Sequence, residues 1–191
     1  MRRLISAFKT SVDGKIEGRD NFADWVEAWS EDYELTPQVD ACVLGGGMYP
    51  GYEAYWSAIQ DQPDQTHPLT GTTPTSAEVE WARFAAQTTH YVLSNTLESA
   101  RWPNTQFLRS LDELADLKEQ PGKDIYLMGG ARITISALEA GLLDELRLIV
   151  FPLIAGPGKA LFETAEHRHG LDLRKVEQLP DGRVSMIYEV R

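Results

Sequence analysis

The chain has 191 residues, 42% of them hydrophobic, which is enough to bury a core and excludes a disordered polymer. Its formal net charge of −11 repels phosphate backbones, so nucleic acid is not an expected partner, and no apolar run is long enough to span a membrane. The one cysteine, Cys42, sits in the apolar run "DACVLGG" and points to a reduced, cytoplasmic protein with a single domain over residues 1–191.

Taken in chain order, "RLISAF" predicts a first strand and Asp13-Gly14 a turn after it. Phe22, Trp25, Val26 and Trp29 have helical spacing, with Asp20 or Asn21 as cap. Ala41 to Leu44 reads as a strand that runs into Gly45-Gly46-Gly47, and an aromatic helix start or loop follows. "QDQPDQTHPLTGTTPT" has no apolar period and predicts a long surface loop. Thr75 and Glu78 have the spacing of a capping box, and Val79, Ala82, Arg83 and Ala86 continue that helix. "HYVLSN" is a strand stopped by Ser94-Asn95. Ser110 and Glu113 repeat the capping spacing before "LDELADLKEQ", which Pro121-Gly122 ends. "DIYLM" is a strand, and Ile133, Ala137 and Leu138 share a helix face that Gly141 terminates. "ELRLIVFPLI" is a long strand, and two alternating strands joined by Asp181-Gly182 close the chain. This order predicts an α/β fold whose sheet is mostly parallel with an antiparallel edge.

Open α/β sheets bind ligands beyond the carboxyl ends of their strands. Three predicted strands end in small or polar residues: Leu44 into Gly45, Leu93 into Ser94-Asn95, and Met128 into Gly129-Gly130. If they are parallel neighbours, the three ends line one crevice. Glycine lets a ligand approach the backbone, and the helix after Gly130 offers free N–H groups to an anion. Arg132 lies in that first turn, where a cation opposes the helix dipole unless an anion is bound. A sharp turn with a solvated Arg132 explains the same residues equally well. The dinucleotide fingerprint G-x-G-x-x-G and a Walker loop are both absent.

"IYLMGGARITISAL" followed by "DELRLIVFPLIAGPGKALF", with "SVDGKI", "VLGGGMY" and "VLSNTL" in order before them, resembles the dihydrofolate reductase-like superfamily. The closest likeness is to stand-alone relatives of the reductase (C-terminal) domain of bacterial riboflavin-biosynthesis deaminase/reductases. The resemblance implies a three-layer αβα sandwich and an NADPH-dependent reductase, with NADH as the other candidate cofactor. It also implies a small-molecule substrate, pterin-like or ribosylaminopyrimidine-like, and a homodimer. By that likeness Met128, Gly129, Gly130, Ala131, Arg132 and Ile133 hold the pyrophosphate, with Gly45 close to the phosphates. Ser94 and Asn95 lie at the adenosine end and Ile16 near the nicotinamide. Dihydrofolate reductases commonly join the two glycines by a cis peptide.

The sequence departs from those enzymes at three places. Gly46 and Met48 stand where they carry a phosphate-binding Arg and Thr, Thr134 stands at the active-site Tyr, and Ile149 stands at the Thr that supports folate. The zinc-deaminase signature is missing, since it needs more than one cysteine, and the four scattered histidines do not suggest a metal site. Hydride transfer to a pterin-like ring calls for a proton donor, usually a carboxylate with a raised pKa. Asp13 and Glu27 are the catalytic candidates. Trp25 and Tyr49 are the candidate substrate contacts in an aromatic-rich pair of segments, together with Thr134; core packing is the competing role for the aromatics. A non-catalytic ligand-binding or dimer-scaffold protein on the same fold is the alternative reading.

Overall fold

The computed structural model describes residues 1–20, 22–26, 29–30 and 33–191. Six parallel strands form most of one sheet: β1 (Leu4–Ser11), β2 (Val39–Gly45), β3 (Thr89–Leu93), β4 (Thr105–Leu108), β5 (Asp124–Gly129) and β6 (Glu145–Phe151). The last two strands, β7 (Leu171–Gln178) and β8 (Val184–Val190), are antiparallel, and β8 pairs with β6. The strand order is β4-β3-β2-β5-β1-β6-β8-β7. All six parallel strands therefore end on the same edge of the sheet.

Four helices cover the parallel part: α1 (Tyr49–Asp61), α2 (Ser76–Gln87), α3 (Leu111–Glu119) and α4 (Ala131–Glu139). The core divides into two clusters, one on each face. One joins Ile5, Cys42 and Leu44 to Trp56 and Ile59 of α1 and Trp81 of α2. The other joins Leu4, Val43 and Leu127 to Leu114 of α3 and Ile133 and Ala137 of α4. Successive residues of β1 and β2 serve opposite clusters, as the period of a strand buried on both faces requires. Burial pushes the Cys42 thiol pKa up, so it stays a protonated core residue.

The capping signals at 75–78 and 110–113 hold. The Thr75 side chain accepts from the Glu78 N–H and the Glu78 carboxylate accepts from the Thr75 N–H. Ser110 accepts from the Glu113 N–H, but Glu113 reaches past it to the Arg109 N–H. Gly141 ends α4 with φ +67°, and a short turn over Pro180–Gly182 joins β7 to β8.

Two expectations need correction. The described residues of 22–33 form turns and bends, not a helix. Trp29 is spent on packing instead, its ring 5.5 Å from Trp56 and 4.5 Å from Trp81, whereas Phe22 stays 67% exposed. Periodicity reports that residues are buried, and a loop pressed onto two helices meets that need as well as a helix does. The reading also passed over β4, a four-residue edge strand in "NTQFLRS" too short to show an alternation.

Candidate active site

The three Gly- or Ser-ended strands are neighbours in the order β3-β2-β5. Gly45 pairs with Leu93 and Leu44 with Gly129, so their ends lie side by side. The Gly129-Gly130 peptide is cis and Gly129 has φ +113°. A Cβ built on Gly45, Gly47 or Gly130 would meet no protein atom within 4 Å, so open space lies over this backbone. Gly46 is different. A Cβ there would fall 2.4 Å from the Ser94 Oγ, so Ser94 occupies the room that an Arg at this position would need. The departure from the reductase pattern at Gly46 is therefore a packing choice between β2 and β3.

Helices α1 and α4 start directly above these ends. Their N-caps are Met48 and Gly130; neither supplies a side-chain hydrogen bond, and neither first turn holds an acid. The leading N–H groups of two helices are thus left for another partner. Ala131 and Ile133 turn their side chains into the core, at 3% and 7% exposure, so only their backbone can face a ligand. Arg132 between them is exposed and has no hydrogen bond or ion pair with a described residue. Met128 packs against the α1–α2 cluster. Ser94 Oγ accepts from the N–H groups of Thr96 (3.3 Å) and Leu97 (3.0 Å), shaping the turn that leaves Asn95 exposed.

Arg109 completes this end of the crevice, and the sequence reading missed it. From the end of β4 its guanidinium donates to the carbonyls of Ser94 and, at 2.9 Å, Leu97, and it lies over the Phe107 ring. The signal was the cation closing "TQFLR", which means something only once β4 is recognised as the strand beside β3.

On the far side of β1 two cavities share Trp25 and Leu153 and form one cleft. One, of 530 Å³, is walled by Arg19, Phe22, Trp25, Ile154 and Pro157. The other, of 710 Å³, is walled by Lys9, Trp25, Trp29, Phe151 and Arg183, with Thr75 at the start of α2. Trp25 therefore lines both cavities. Lys9 was not anticipated, although a lysine inside a central strand is itself a signal, because burying its charge is costly. Its Nζ donates to the Ser30 carbonyl (3.2 Å) and contacts the Ser30 hydroxyl (2.9 Å).

Asp13 is hydrogen-bonded to Ala155, a wall residue of the smaller cavity, in a role other than the one anticipated. Its carboxylate accepts from the Ser11 hydroxyl (2.6 Å) and the N–H groups of Ala155 (2.9 Å) and Gly156 (3.0 Å). The Ser11 hydrogen bond, helped by those from the backbone, lowers its pKa to about 2. A carboxylate ionised this firmly has no proton to donate near neutral pH; it clamps the "AGPG" loop to the β1 turn. The clamp continues in the backbone: Ile16 N–H donates to the Lys159 carbonyl (2.9 Å), and Leu161 N–H to that of Gly14 (3.0 Å). Gly158 is pressed so close that a Cβ would fall 2.0 Å from the Glu17 carbonyl. "SVDGKI" and "AGPGKAL", distant in sequence, are thus one structural unit, and Ile16 is set by it.

Glu27 lies outside the described residues. Two candidate substrate contacts are core residues instead. Tyr49 is 1% exposed, with its hydroxyl donating to Glu53 (2.8 Å) and paired with Thr105 (2.6 Å). Thr134 is fully buried beneath α4 and hydrogen-bonds Ser6 of β1 at 3.1 Å. Tyr49 is the first residue of α1 and Thr134 the fourth of α4, and both lie on the face that packs.

An α/β sheet of this order, with its glycine-ended strands and uncapped helix starts, has the dihydrofolate reductase-like fold. A dihydrofolate reductase from Enterococcus faecalis, complexed with NADP(H), superposes at TM-score 0.59 with 12% identity over 99% of this chain and 96% of that one. A protein of Shewanella sp. PV-4, provisionally named for riboflavin biosynthesis, superposes at TM-score 0.69 with 20% identity over 99% of both chains. More particularly, the chain belongs to the RibD C-terminal domain family, whose model matches residues 2–185. The uncharacterized protein YyaP of Bacillus subtilis (strain 168) is 29% identical over 194 residues, covering 98% of this chain and 94% of that one. Family membership supports an oxidoreductase in riboflavin-type chemistry. No helix of the described residues is long and apolar enough to cross a membrane.

Proposed function

We propose that this chain is an NAD(P)H-dependent reductase, a single reductase unit that delivers hydride to a small heterocycle at a C=N or CH–NH type carbon. One observation carries the reading. Open space lies over Gly45 at the end of β2 and over Gly130 just after the neighbouring β5, and each strand leads into a helix start that no side chain caps. That arrangement suits a diphosphate: the N–H groups meet its oxygens and the absent Cβ atoms let it come close. The bound cofactor supplies the hydride; the protein's part is to align it with the acceptor.

In this reading Gly45, Gly129, Gly130 and Arg132 hold the diphosphate, and Ser94, Asn95 and Arg109 surround the adenosine end. Arg109 and Arg132 are cations able to meet a further phosphate, which favours NADPH over NADH. The substrate ring, pterin-like or ribosylaminopyrimidine-like, lies in the cleft against Trp25. The buried, unpaired Cys42 suits a cytoplasmic setting, and the expected assembly is a homodimer. A non-catalytic role on the same fold drew on Gly46 and Met48, and the contact between Gly46 and Ser94 removes half of that motive.

Isothermal calorimetry of the purified chain with NADPH and with NADH tests the reading. Saturable binding of at least one, tighter for NADPH, is expected. No heat from either at millimolar concentration would overturn it.

A further inference from the structure

The smaller cavity adjoins the one assigned above to the substrate ring and shares Trp25 and Leu153 with it. Its 530 Å³ is in the range of small-molecule sites, so it can receive a substituent carried by that ring. Two chemistries compete for the space: an anion such as a phosphate ester, and an apolar group.

An anion needs cations or unused N–H groups. The glycine-rich run "AGPG" at 155–158 has the form of an anion cradle, but the chain has already filled it. The N–H groups of Ala155 and Gly156 donate to the Asp13 carboxylate at 2.9 and 3.0 Å, and Pro157 has no N–H to offer. Asp13 is ionised near neutral pH, so it also repels a second anion at this place.

Cations are scarce as well. Among the described residues Arg19 is the only one in the wall of the smaller cavity, and Asp20 and Asp24 stand in the same wall. In the larger cavity Lys9 and Arg183 are engaged within the chain, Lys9 with Ser30 and Arg183 over the Phe151 ring at 5.5 Å. The start of α2 there is closed by its own capping box with Glu78. Segment 20–34 supplies walls to both cavities and carries Asp20, Asp24, Glu27, Glu31, Asp32 and Glu34, with no lysine or arginine. Its field opposes an anion. What the smaller cavity does offer is apolar surface from Phe22, Trp25, Leu153, Ile154 and Pro157. Phe22 and Ile154 remain 67% and 78% exposed, so their surface is still available to be buried.

We infer that the substrate is an unphosphorylated heterocycle with an uncharged, apolar substituent, the ring lying in the larger cavity and the substituent in the smaller. This rests on the reductase function proposed above and narrows its substrate class. A phosphorylated substituent is rejected by charge rather than by lack of room: Asp13 occupies the N–H groups it would need, and the acids of segment 20–34 repel it.

Calorimetry and tryptophan-fluorescence titration of the intact chain saturated with NADP+, which has no hydride to give, test the assignment. The probes are matched pairs on each ring: a phenyl-substituted pterin against a pterin phosphate ester, and an anilinopyrimidine against a ribitylaminopyrimidine phosphate. On at least one ring the apolar member is expected to bind about tenfold or more tightly than its phosphorylated partner. Phe22→Ala should weaken the apolar member and leave the phosphorylated one unchanged, and Ile154→Lys should reverse the preference. Both side chains are exposed, so both variants should keep the melting temperature of the wild type. A phosphorylated member that binds as well as its apolar partner on both rings would overturn the inference, as would a preference that survives both substitutions. If neither pair binds to a chain that does bind NADP+, the substituent assignment falls while the cofactor site stands. If NADP+ does not bind either, the reductase function falls with it.

Discussion

Four helices start on the ligand edge of the sheet, and they start in two ways. Helices α2 and α3 are capped by Thr75 and Ser110 and carry acids in their first turns. Helices α1 and α4 have neither cap nor acid, and α4 has Arg132 in its first turn instead. Local energetics favour the first arrangement, since a cap contributes about 1 kcal/mol and an acid complements the dipole. The open starts are the two that follow β2 and β5, which are adjacent strands, whereas the capped starts lie at the flanks. Local stability is optimised at the two starts away from the glycine-ended strands, although α2 begins at the wall of the larger cavity. It is left incomplete where the helix end faces the crevice.

The contrast can be broken most severely at Gly130. A Cβ there meets no protein atom and its φ of −80° suits any residue, so Gly130→Val should fold with a melting temperature near that of the wild type. Its side chain would occupy the space above the backbone, and calorimetry should show NADPH affinity reduced roughly 100-fold, the worth of two good contacts. Unchanged affinity would mean that no ligand comes near this backbone. Arg132→Ala should cost less, about tenfold in NADPH affinity, because it removes one exposed cation and leaves the helix N–H groups in place. The smallest effect belongs to the capped class. Thr75→Ala should lower unfolding free energy by about 1 kcal/mol in urea titration while cofactor affinity stays constant. If Thr75→Ala weakened cofactor binding as much as Arg132→Ala did, the division between the two kinds of helix start would fail.

Much of this was legible in the chain. Capping pairs, the terminal hairpin and the parallel order of strands all rest on local patterns, and each was read from residues within a few positions of one another. The glycine-ended strands were legible as well, including the two glycines of the cis peptide. What escaped were features whose cause lies elsewhere in the sequence. Phe22, Trp25, Val26 and Trp29 have helical spacing, yet the described residues there form turns and bends, with Trp29 held against Trp56 and Trp81. Tyr49 and Thr134 look available on a helix start and are consumed by Thr105 and Ser6, which the sequence does not place beside them. Asp13 looked like an acid in a turn; hydrogen bonds from residues 142 and 143 positions away turn it into an ionised clamp.

The sequence by itself determined the α/β class, the ends of the strands and the chemistry available at them, because propensity, capping and glycine freedom act over a few residues. Tertiary structure alone decided which of those ends are neighbours and that Ser94 fills the room beside Gly46. It also decided that Lys9 and Trp25 share a cleft. Each of these depends on pairing between segments far apart in the chain, where register and packing, rather than local preference, determine what a side chain meets.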